Sequence, residues 1–285
     1  MSIVKKNFTI TKKWVEKNCS KTAEVLCLPK NATAIGNYAF EDFKKLVTVI
    51  LPEGITTIGE CAFMNCEKLA KISLSGSVKM PKSLKKIGFS AFRNTSLETI
   101  TFQDSLKKID HYAFYGCTKL TQVNFGSTIK EIGLYAFAEC FSLREVVLPD
   151  TCTKIGNEAF SNCYTIGKAI LPKKLQVVRE AIFKNCFNLK SIEIPASVKE
   201  VQEQAFSGCR RLEGLTLTDS TTVIKEFAFL NCQSLFLANI NTRLKHALVD
   251  YISLLELEDR LPTLYIDQTA FLGCPNFSLA LTSRS

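Results

Sequence analysis

Apolar and polar positions recur along this chain in short runs that repeat at a fixed interval. Residues 132–149 read IGLYAFAECFSLREVVLP, and residues 155–172 read IGNEAFSNCYTIGKAILP. Both segments follow the pattern I-G-x-x-A-F-x-x-C-x-x-L-x-x-[VI]-x-L-P. The second half alternates apolar with polar residues and ends in proline, which predicts a short half-buried strand. The first half places a small Ala beside a Phe on a turning arm opposite the strand.

The phenylalanine of this pattern marks each repeat. It recurs ten times, at Phe40, Phe63, Phe92, Phe114, Phe137, Phe160, Phe183, Phe206, Phe229 and Phe271. Most successive members are 23 residues apart, and two wider gaps of 29 and 42 residues mark insertions. A sustained period of this length indicates a solenoid, because one coil cannot bury its own apolar face whereas a stack of coils can.

A cysteine follows eight of these phenylalanines by three residues. The eight are Cys66, Cys117, Cys140, Cys163, Cys186, Cys209, Cys232 and Cys274. A cysteine that recurs once per coil is expected to be a small buried residue with a free thiol, rather than part of a disulfide framework. Cys61 and Cys66 form C-x4-C without a second pair, so we expect no metal site. We also expect no other cofactor.

These motifs resemble the BspA-like, or Treponema-type, leucine-rich repeats, whose coil of about 23 residues has the same A-F-x-x-C and L-x-x-I-x-L-P elements. The similarity runs from about residue 26 to residue 281. It implies a repeat solenoid of about ten coils, with a parallel sheet on the concave face and convex arms of short 3-10, irregular or helical segments. Many members of that family look like secreted or surface-attached adhesins, so the resemblance also implies protein binding.

The chain divides into a short cap and a long solenoid. Residues 1–30 are expected to form an N-terminal capping half-coil, in which Trp14 covers the open end of the core. Residues 31–285 form the leucine-rich-repeat solenoid, with insertions at 75–83 and 241–262. The first insertion contains Gly, Pro and Met and is expected to be a surface loop.

Within the second insertion, residues 243–256 predict an amphipathic helix. Its apolar face is formed by Leu244, Ala247, Leu248, Tyr251, Ile252 and Leu255. Asn241 can cap the start of this helix, and Pro262 follows its end. The helix either shields the core before the terminal coil or docks a partner.

The residues on either side of the buried middle of each strand are expected to point outward, because side chains alternate along a strand. This exposed, concave face is the predicted partner site. Its candidate binding residues are Thr99, Thr101, Gln122, Asn124, Glu145, Val147, Lys168, Ile170, Ser191 and Glu193. No aromatic row lies among these outward positions, so stacking of bases or sugars is not predicted.

A row of lysines precedes the I-G element of several coils, and we call it the lysine edge. Its members are Lys85, Lys86, Lys107, Lys108, Lys130, Lys154, Lys173, Lys174 and Lys199. Stacking would align them along one edge, where they could hold a polyanion or blunt an exposed sheet edge. Glu131 and Glu200 interrupt the row.

Composition narrows the class of protein. The chain is 46% hydrophobic and carries a net charge of +9, which fits a folded solenoid with either an acidic partner or a solvated lysine-rich surface. No long apolar run predicts a membrane span, and residues 1–14 lack the features of a secretory signal. Together with the free cysteines, this predicts a cytoplasmic protein, with signal-independent secretion as the alternative.

The sequence therefore predicts a protein–protein interaction module, a scaffold or effector-type binding protein that uses the concave strand face. Neither histidine, His111 or His246, has a matched nucleophile, so no enzyme is expected and no catalytic residue is assigned. We expect a monomer with a protein partner, without a small-molecule substrate or nucleic acid. The alternatives are a secreted or surface adhesin that binds a host protein, and a polyanion binder that uses the lysine edge.

Overall fold

The protein is a solenoid of stacked coils, seen in a computed structural model that describes residues 7–74, 79–216, 221, 223–236, 265–267 and 269–275. Each regular coil contains a three-residue strand and a two-residue strand, joined by turns. No helix among these residues is long and apolar enough to cross a membrane. The predicted helix at 243–256 lies outside the described residues.

The first described elements are a strand and a short helix at one end of the stack. Strand β1 (Phe8–Ile10) is followed by helix α1 (Lys12–Asn18), whose N-cap Thr11 accepts a hydrogen bond from the Trp14 N–H at 3.2 Å. Val15 is buried, and the Trp14 ring lies 5.8 Å from that of Phe8. Trp14 packs, partly buried, against the core, as expected of a residue that covers its open end.

One strand of each coil contributes to a ladder of three-residue strands. These are β2 (Val25–Cys27), β4 (Thr48–Ile50), β6 (Lys71–Ser73), β8 (Thr99–Thr101), β10 (Gln122–Asn124), β12 (Glu145–Val147), β14 (Lys168–Ile170), β16 (Ser191–Glu193) and β18 (Gly214–Thr216). Their pairings are all parallel, in the groups β2-β4-β6, β8-β10, β12-β14 and β16-β18. The strands predicted from the L-x-x-I-x-L element are confirmed.

A second ladder runs through the I-G element of the coils. Its strands are β3 (Ala32–Ile35), β5 (Thr57–Ile58), β7 (Lys86–Ile87), β9 (Lys108–Ile109), β11 (Glu131–Ile132), β13 (Lys154–Ile155), β15 (Val177–Val178), β17 (Glu200–Val201), β19 (Val223–Ile224) and β20 (Tyr265–Ile266). They form two parallel sheets, β1-β3-β5-β7-β9-β11-β13 and β15-β17-β19-β20. The sequence pattern predicted only a turning arm here, because a two-residue strand is too short to alternate.

The ten phenylalanines that recur once per coil, which we call the ladder phenylalanines, stack face to face through the centre of the solenoid. Successive rings lie 5.0–5.8 Å apart, with interplanar angles of 4–14°. The row continues across the 42-residue gap, since Phe229 stacks on Phe271 at 5.0 Å and Val223 pairs with Tyr265. The repeat register is therefore maintained on both sides of the gap.

The residue two after each ladder Phe adopts the left-handed conformation, and so does the residue two before it in every coil except that of Phe271. In the coil of Phe137 these are Tyr135 (φ 53°) and Glu139 (φ 60°). The position two after the Phe selects residues that tolerate positive φ or that bond locally, with Asp, Asn or Gly in most coils. Asn94, for example, has φ 58° and donates its side-chain amide to Asn65 Oδ1 at 3.0 Å.

The loop expected at 75–83 is only partly a surface feature. Residues 75–78 lie outside the described part of the chain. Met80 is 2% exposed, Pro81 is buried, and the Met80 N–H donates to the Thr101 carbonyl at 2.9 Å. The second half of this segment is therefore part of the stack, because Met80 fills space in the core.

Replacing Phe137 by Ala removes a ring that stacks on Phe114 and Phe160. We expect the free energy of unfolding to fall by about 3–5 kcal/mol, as for other buried Phe→Ala changes. Urea unfolding followed by circular dichroism measures this loss. Gln122→Ala, at an exposed strand position, is the control and should change stability by less than about 0.5 kcal/mol. Equal losses in the two variants would contradict the prediction that the stacked phenylalanines stabilise the fold more than an exposed strand residue does.

Candidate binding face

The strand face consists of the first and third residues of the nine three-residue strands. The middle residues of these strands, such as Val146 and Ile192, are buried, except for half-buried Leu26 in β2. All ten candidate residues lie on the strand face. Thr101 and Glu145 are half-buried, and the other eight are exposed.

Register brings the candidate residues of neighbouring coils side by side. The Cα partners are Gln122 with Thr99, Asn124 with Thr101, Glu145 with Lys168, Val147 with Ile170, Ser191 with Gly214, and Glu193 with Thr216. Strands β10 and β12, and strands β14 and β16, also contact each other, so the ten residues span five successive strands. Their role in binding stays a prediction.

Chemistry varies along the strand face and is most mixed at β12 and β14. Val147 is 44% exposed and Ile170 is 43% exposed, so the two aliphatic side chains form an adjacent apolar pair in solvent. Glu145 and Lys168 occupy the first positions of the same two strands. By contrast, the paired strands β8 and β10 present only Thr, Gln and Asn outward.

A cleft of about 400 Å³ opens beside this mixed region. It is lined by Thr121, Gln122, Arg144, Glu145, Gly167 and Lys168. Gly167 provides part of the opening, because a Cβ added there would meet only the Asn188 carbonyl oxygen, at 3.9 Å. The sequence analysis selected Gln122, Glu145 and Lys168 but missed Arg144 and Gly167, which directly precede their strands.

An aromatic row runs through the same coils. Phe141, Tyr164 and Phe187 stack with ring centroids 4.8 Å apart, and the guanidinium carbon of Arg210 lies 4.7 Å from the centroid of Phe187. Each ring directly follows one of the eight cysteines that recur once per coil (the ladder cysteines), and each is exposed or half-buried. No aromatic row was predicted among the outward strand positions, and this one precedes the strands. The 23-residue spacing of Phe141, Tyr164 and Phe187 was the available signal.

A second aromatic cluster lies on the arm, formed by Phe89, Tyr112, Tyr115 and Tyr135. Arg93 lies over the Tyr115 ring at 4.9 Å, and Tyr112 stacks on Tyr135 at 5.0 Å. The Tyr115 hydroxyl donates to Glu139 Oε1 at 2.6 Å. Burial and this hydrogen bond raise the pKa of Tyr115 to about 12. Because this hydroxyl is engaged by the next coil, the cluster contributes to coil packing.

The lysine edge is aligned only in part, and it is partly neutralised. Lys86 and Lys108 are Cα partners, whereas the Lys199 N–H donates to the carbonyl of Gln176 and not to that of an edge lysine. Lys86 Nζ lies 3.5 Å from Asp110, and Lys108 Nζ lies 2.7 Å from Glu131. The hydrogen bond that Lys108 donates to Glu131 raises the pKa of Lys108. Glu131 is also the Cα partner of both Lys108 and Lys154, so an acidic residue separates the two cations. A polyanion would meet carboxylates as well as ammonium groups here.

The cysteine ladder has a structural role that spacing alone did not reveal. Each ladder thiol donates a hydrogen bond to the carbonyl oxygen of the ladder Phe in the preceding coil, at 3.1–3.3 Å. Cys163, for example, donates to Phe137 at 3.1 Å. Two coils lack a ladder cysteine; in one of them Thr95 takes its place, and its hydroxyl donates to the carbonyl of Phe92 in the same coil at 3.0 Å. All twelve cysteines are free thiols.

Burial raises the pKa of six of the eight ladder thiols and keeps them protonated, whereas a hydrogen bond with Cys232 lowers the pKa of Cys274. Desolvation raises the pKa of Cys66 to about 12 and that of Cys117 to about 11. The reactive and metal-binding form of cysteine is the thiolate, so a buried thiol with a raised pKa is unreactive. Among the described residues, no group of three or more His, Cys, Asp or Glu residues could hold a metal ion.

The described histidine is engaged in coil stacking. His111 Nδ1 accepts a hydrogen bond from the Leu134 N–H at 2.8 Å. That nitrogen is therefore occupied by the backbone of the next coil. His246 lies outside the described residues.

Comparison with known proteins gives consistent matches. The family model for the BspA type leucine rich repeat region matches in six copies, over residues 9–80, 73–167 and 155–278. A leucine-rich repeat protein from Bacteroides ovatus superposes with a TM-score of 0.51 at 22% identity, covering 89% of this chain and 77% of that one. This likeness shows a shared fold. No curated protein has a significantly matching sequence.

Two further solved structures are similar at lower TM-scores. The Treponema pallidum leucine rich repeat protein is 22% identical with a TM-score of 0.44, covering 90% of this chain and 91% of that one. The pneumococcal vaccine antigen PcpA is 20% identical with a TM-score of 0.45, covering 75% of this chain and 67% of that one.

Native protein treated with iodoacetamide at pH 8 should be alkylated at Cys27, which is exposed, and protected at the eight ladder cysteines. Peptide mass spectrometry before and after unfolding in urea measures the difference. Rapid alkylation of Cys163 or Cys186 in the native protein would show that the ladder is accessible, contrary to its burial.

The ladder thiols whose pKa is raised on folding, such as Cys66 and Cys117, should also make stability depend on pH. Their ordinary pKa of 9.0 applies in the unfolded chain, whereas folding raises it to about 11 at Cys117 and about 12 at Cys66. The folded state therefore binds more protons above pH 9, and the free energy of unfolding decreases as pH rises from there through 12. Urea midpoints from pH 7 to 11 test this, with the Cys117→Thr variant showing a shallower decline.

Proposed function

We propose that this chain, which belongs to the BspA type leucine rich repeat family, is a protein-binding solenoid whose strand face contacts the partner. The observation that supports this most directly is the mixed region at β12 and β14. There, charged side chains line a cleft and two aliphatic side chains project into solvent beside it.

The composition of this region is that of a binding surface. Protein interfaces are enriched in aromatic residues and Arg, and their centres combine apolar contacts with a few directed polar groups. The mixed region offers Val147 and Ile170 for apolar contact and Arg144 for directed hydrogen bonds. The aromatic row lies on the same coils, four residues before their strands, and adds partly exposed ring surface there.

The lysine edge is a weaker candidate. Its ion pairs with Asp110 and Glu131 reduce the field that a polyanion would experience. The strand face has no comparable internal pairing, because Glu145 and Lys168 are Cα partners without an ion pair between them. Charge on the strand face is therefore available to a partner.

The large number of free cysteines is weak evidence for a cytoplasmic location, because most of them are buried. The eight ladder thiols are buried and donate to backbone carbonyls, so we expect them to persist as thiols under reducing and oxidising conditions alike. Exposed Cys27 is the residue that reports on redox environment. The cytoplasmic location stays a prediction, with the scaffold or effector role attached to it and the surface adhesin as its alternative.

Affinity capture from a nuclease-treated lysate of the source cells tests the proposed function. The strand-face variant changes Gln122, Asn124, Glu145, Val147, Lys168 and Ile170 to Ala. The matched control, the lysine-edge variant, changes Lys85, Lys107 and Lys130 to Ala. We expect mass spectrometry to show a protein captured by the wild-type chain and the control, and reduced at least about tenfold in the strand-face variant, a loss of about 1.4 kcal/mol.

Both variants must retain the circular dichroism spectrum and cooperative unfolding of the wild type. A partner kept by the strand-face variant but lost by the lysine-edge variant would overturn the proposal in favour of polyanion-type recognition. Retention by both variants would place the binding surface elsewhere and equally overturn it.

A further inference from the structure

The cleft in the strand face exists because one coil has a glycine where its neighbours have side chains. The residue before each three-residue strand is Glu24, Val47, Ala70, Glu98, Thr121, Arg144, Gly167, Lys190 or Glu213. Glycine is not required there by the backbone, because Gly167 is not among the residues with positive φ, and the added Cβ has free space. Its missing side chain leaves room for a group from outside.

Two cations, Arg144 and Lys168, line that space, and Lys190 lies in the next coil. Arg144 precedes the neighbouring strand on one side, Lys190 precedes the strand on the other side, and Lys168 directly follows Gly167. All three are exposed, and within the described part of the chain none lies within 4.0 Å of a carboxylate oxygen. Glu145 is the one acidic residue that lines the cleft. The cleft therefore has an excess of positive charge.

Val147 and Ile170, the apolar pair, lie two residues further along their strands than the charged residues Glu145 and Lys168. Each aliphatic side chain is on the same face of its strand as the charged one. Two residues of a strand advance about 6.6 Å, and residues i and i+2 of an extended peptide are separated by a similar distance. An extended segment can thus place one side chain in the cleft and a second one over the apolar pair.

We propose that the cleft at Gly167 binds the carboxylate of an Asp or Glu side chain in an extended segment of the partner protein, with Arg144 and Lys168 as its ligands. An aliphatic side chain two residues away in that segment packs on Val147 and Ile170. This inference rests on the proposed function and adds to it the chemistry of the bound segment. A guanidinium group matches a carboxylate with two parallel hydrogen bonds, which makes Arg144 the main determinant.

Glu145 opposes the binding of an acidic side chain in the cleft. Its carboxylate lines the same cleft and repels an incoming acidic side chain. Its half-buried position keeps it close to the bound group. Replacement of Glu145 by Gln removes the repulsion with little change of shape, so binding of an acidic segment becomes tighter.

Random nonapeptides displayed on phage, selected on the immobilised full-length chain, provide the test. We expect selected peptides to contain Asp or Glu two residues from an aliphatic residue. They should bind Gly167→Leu at least about tenfold more weakly than wild type, because the new side chain fills the cleft. Gly214→Leu is the matched control: Gly214 is also an open strand-face glycine, whose added Cβ would meet only Ser191 Cβ at 3.8 Å. Binding to this control should be unchanged.

A selected peptide and its Asn or Gln analogue isolate the charge. The analogue should bind about tenfold or more weakly, because hydrogen bonds between charged groups are stronger than those with a neutral partner. Arg144→Gln should weaken the acidic peptide and leave the amide analogue unaffected, and Glu145→Gln should tighten the acidic peptide. Fluorescence anisotropy with labelled peptides measures each dissociation constant.

The possible failures separate the two proposals. Equal binding of the acidic and amide peptides overturns the carboxylate inference, as does unchanged binding to Gly167→Leu or failure to select any peptide. Binding of inorganic phosphate without selected peptides also overturns it, since the cleft is then a simple oxyanion site. In each case the protein-binding function stands if the strand-face variant still loses its captured partner, and it fails if that partner is retained.

Discussion

Hydrogen bonds that run from coil to coil along the arm hold the fold in register. In the coil of Phe137, the N–H groups of Tyr135, Phe137 and Glu139 donate to the carbonyls of Asn157, Ala159 and Ser161 in the next coil. The bonds use every second residue, and the left-handed residues are Tyr135 and Glu139. Each coil depends on its neighbour for these partners, so the arm, the phenylalanine row and the strands form together.

The cysteine ladder completes the same arrangement. The ladder Phe donates its N–H forward to the next coil, and its carbonyl accepts a hydrogen bond from the thiol of that coil. Both polar groups of a fully buried residue are thereby satisfied. Thr95 differs from the ladder cysteines, because its hydroxyl donates to Phe92 in its own coil, whose carbonyl also accepts from the Cys117 thiol of the next coil. The ladder cysteines are thus small buried donors that link one coil to the preceding one.

Periodicity in the sequence was sufficient for the coil, the three-residue strands and the outward position of the candidate residues. Each of these features repeats a strongly apolar residue such as Phe137 or Leu143 at a fixed place. The two-residue strands were not predicted, because two residues such as Glu131 and Ile132 are too few to show an alternation of apolar and polar positions. Arg144 and Gly167 were not selected, because the residue before the strand differs from coil to coil. A repeat pattern records only what the coils share, so it does not show such differences. The ion pairs of Lys108 depend on which side chains stacking brings together.

Near-identical interfaces between coils have a mechanical consequence. A protein pulled at its two ends, along the stack, would lose one interface at a time, because the ring contacts and parallel ladders of successive coils are alike. Each event would release one coil of 23 residues, or about 80 Å of extended chain. Stretching would then proceed as a series of similar steps, and a bound partner that bridges β12 and β14 would act as a clamp across the interface between them.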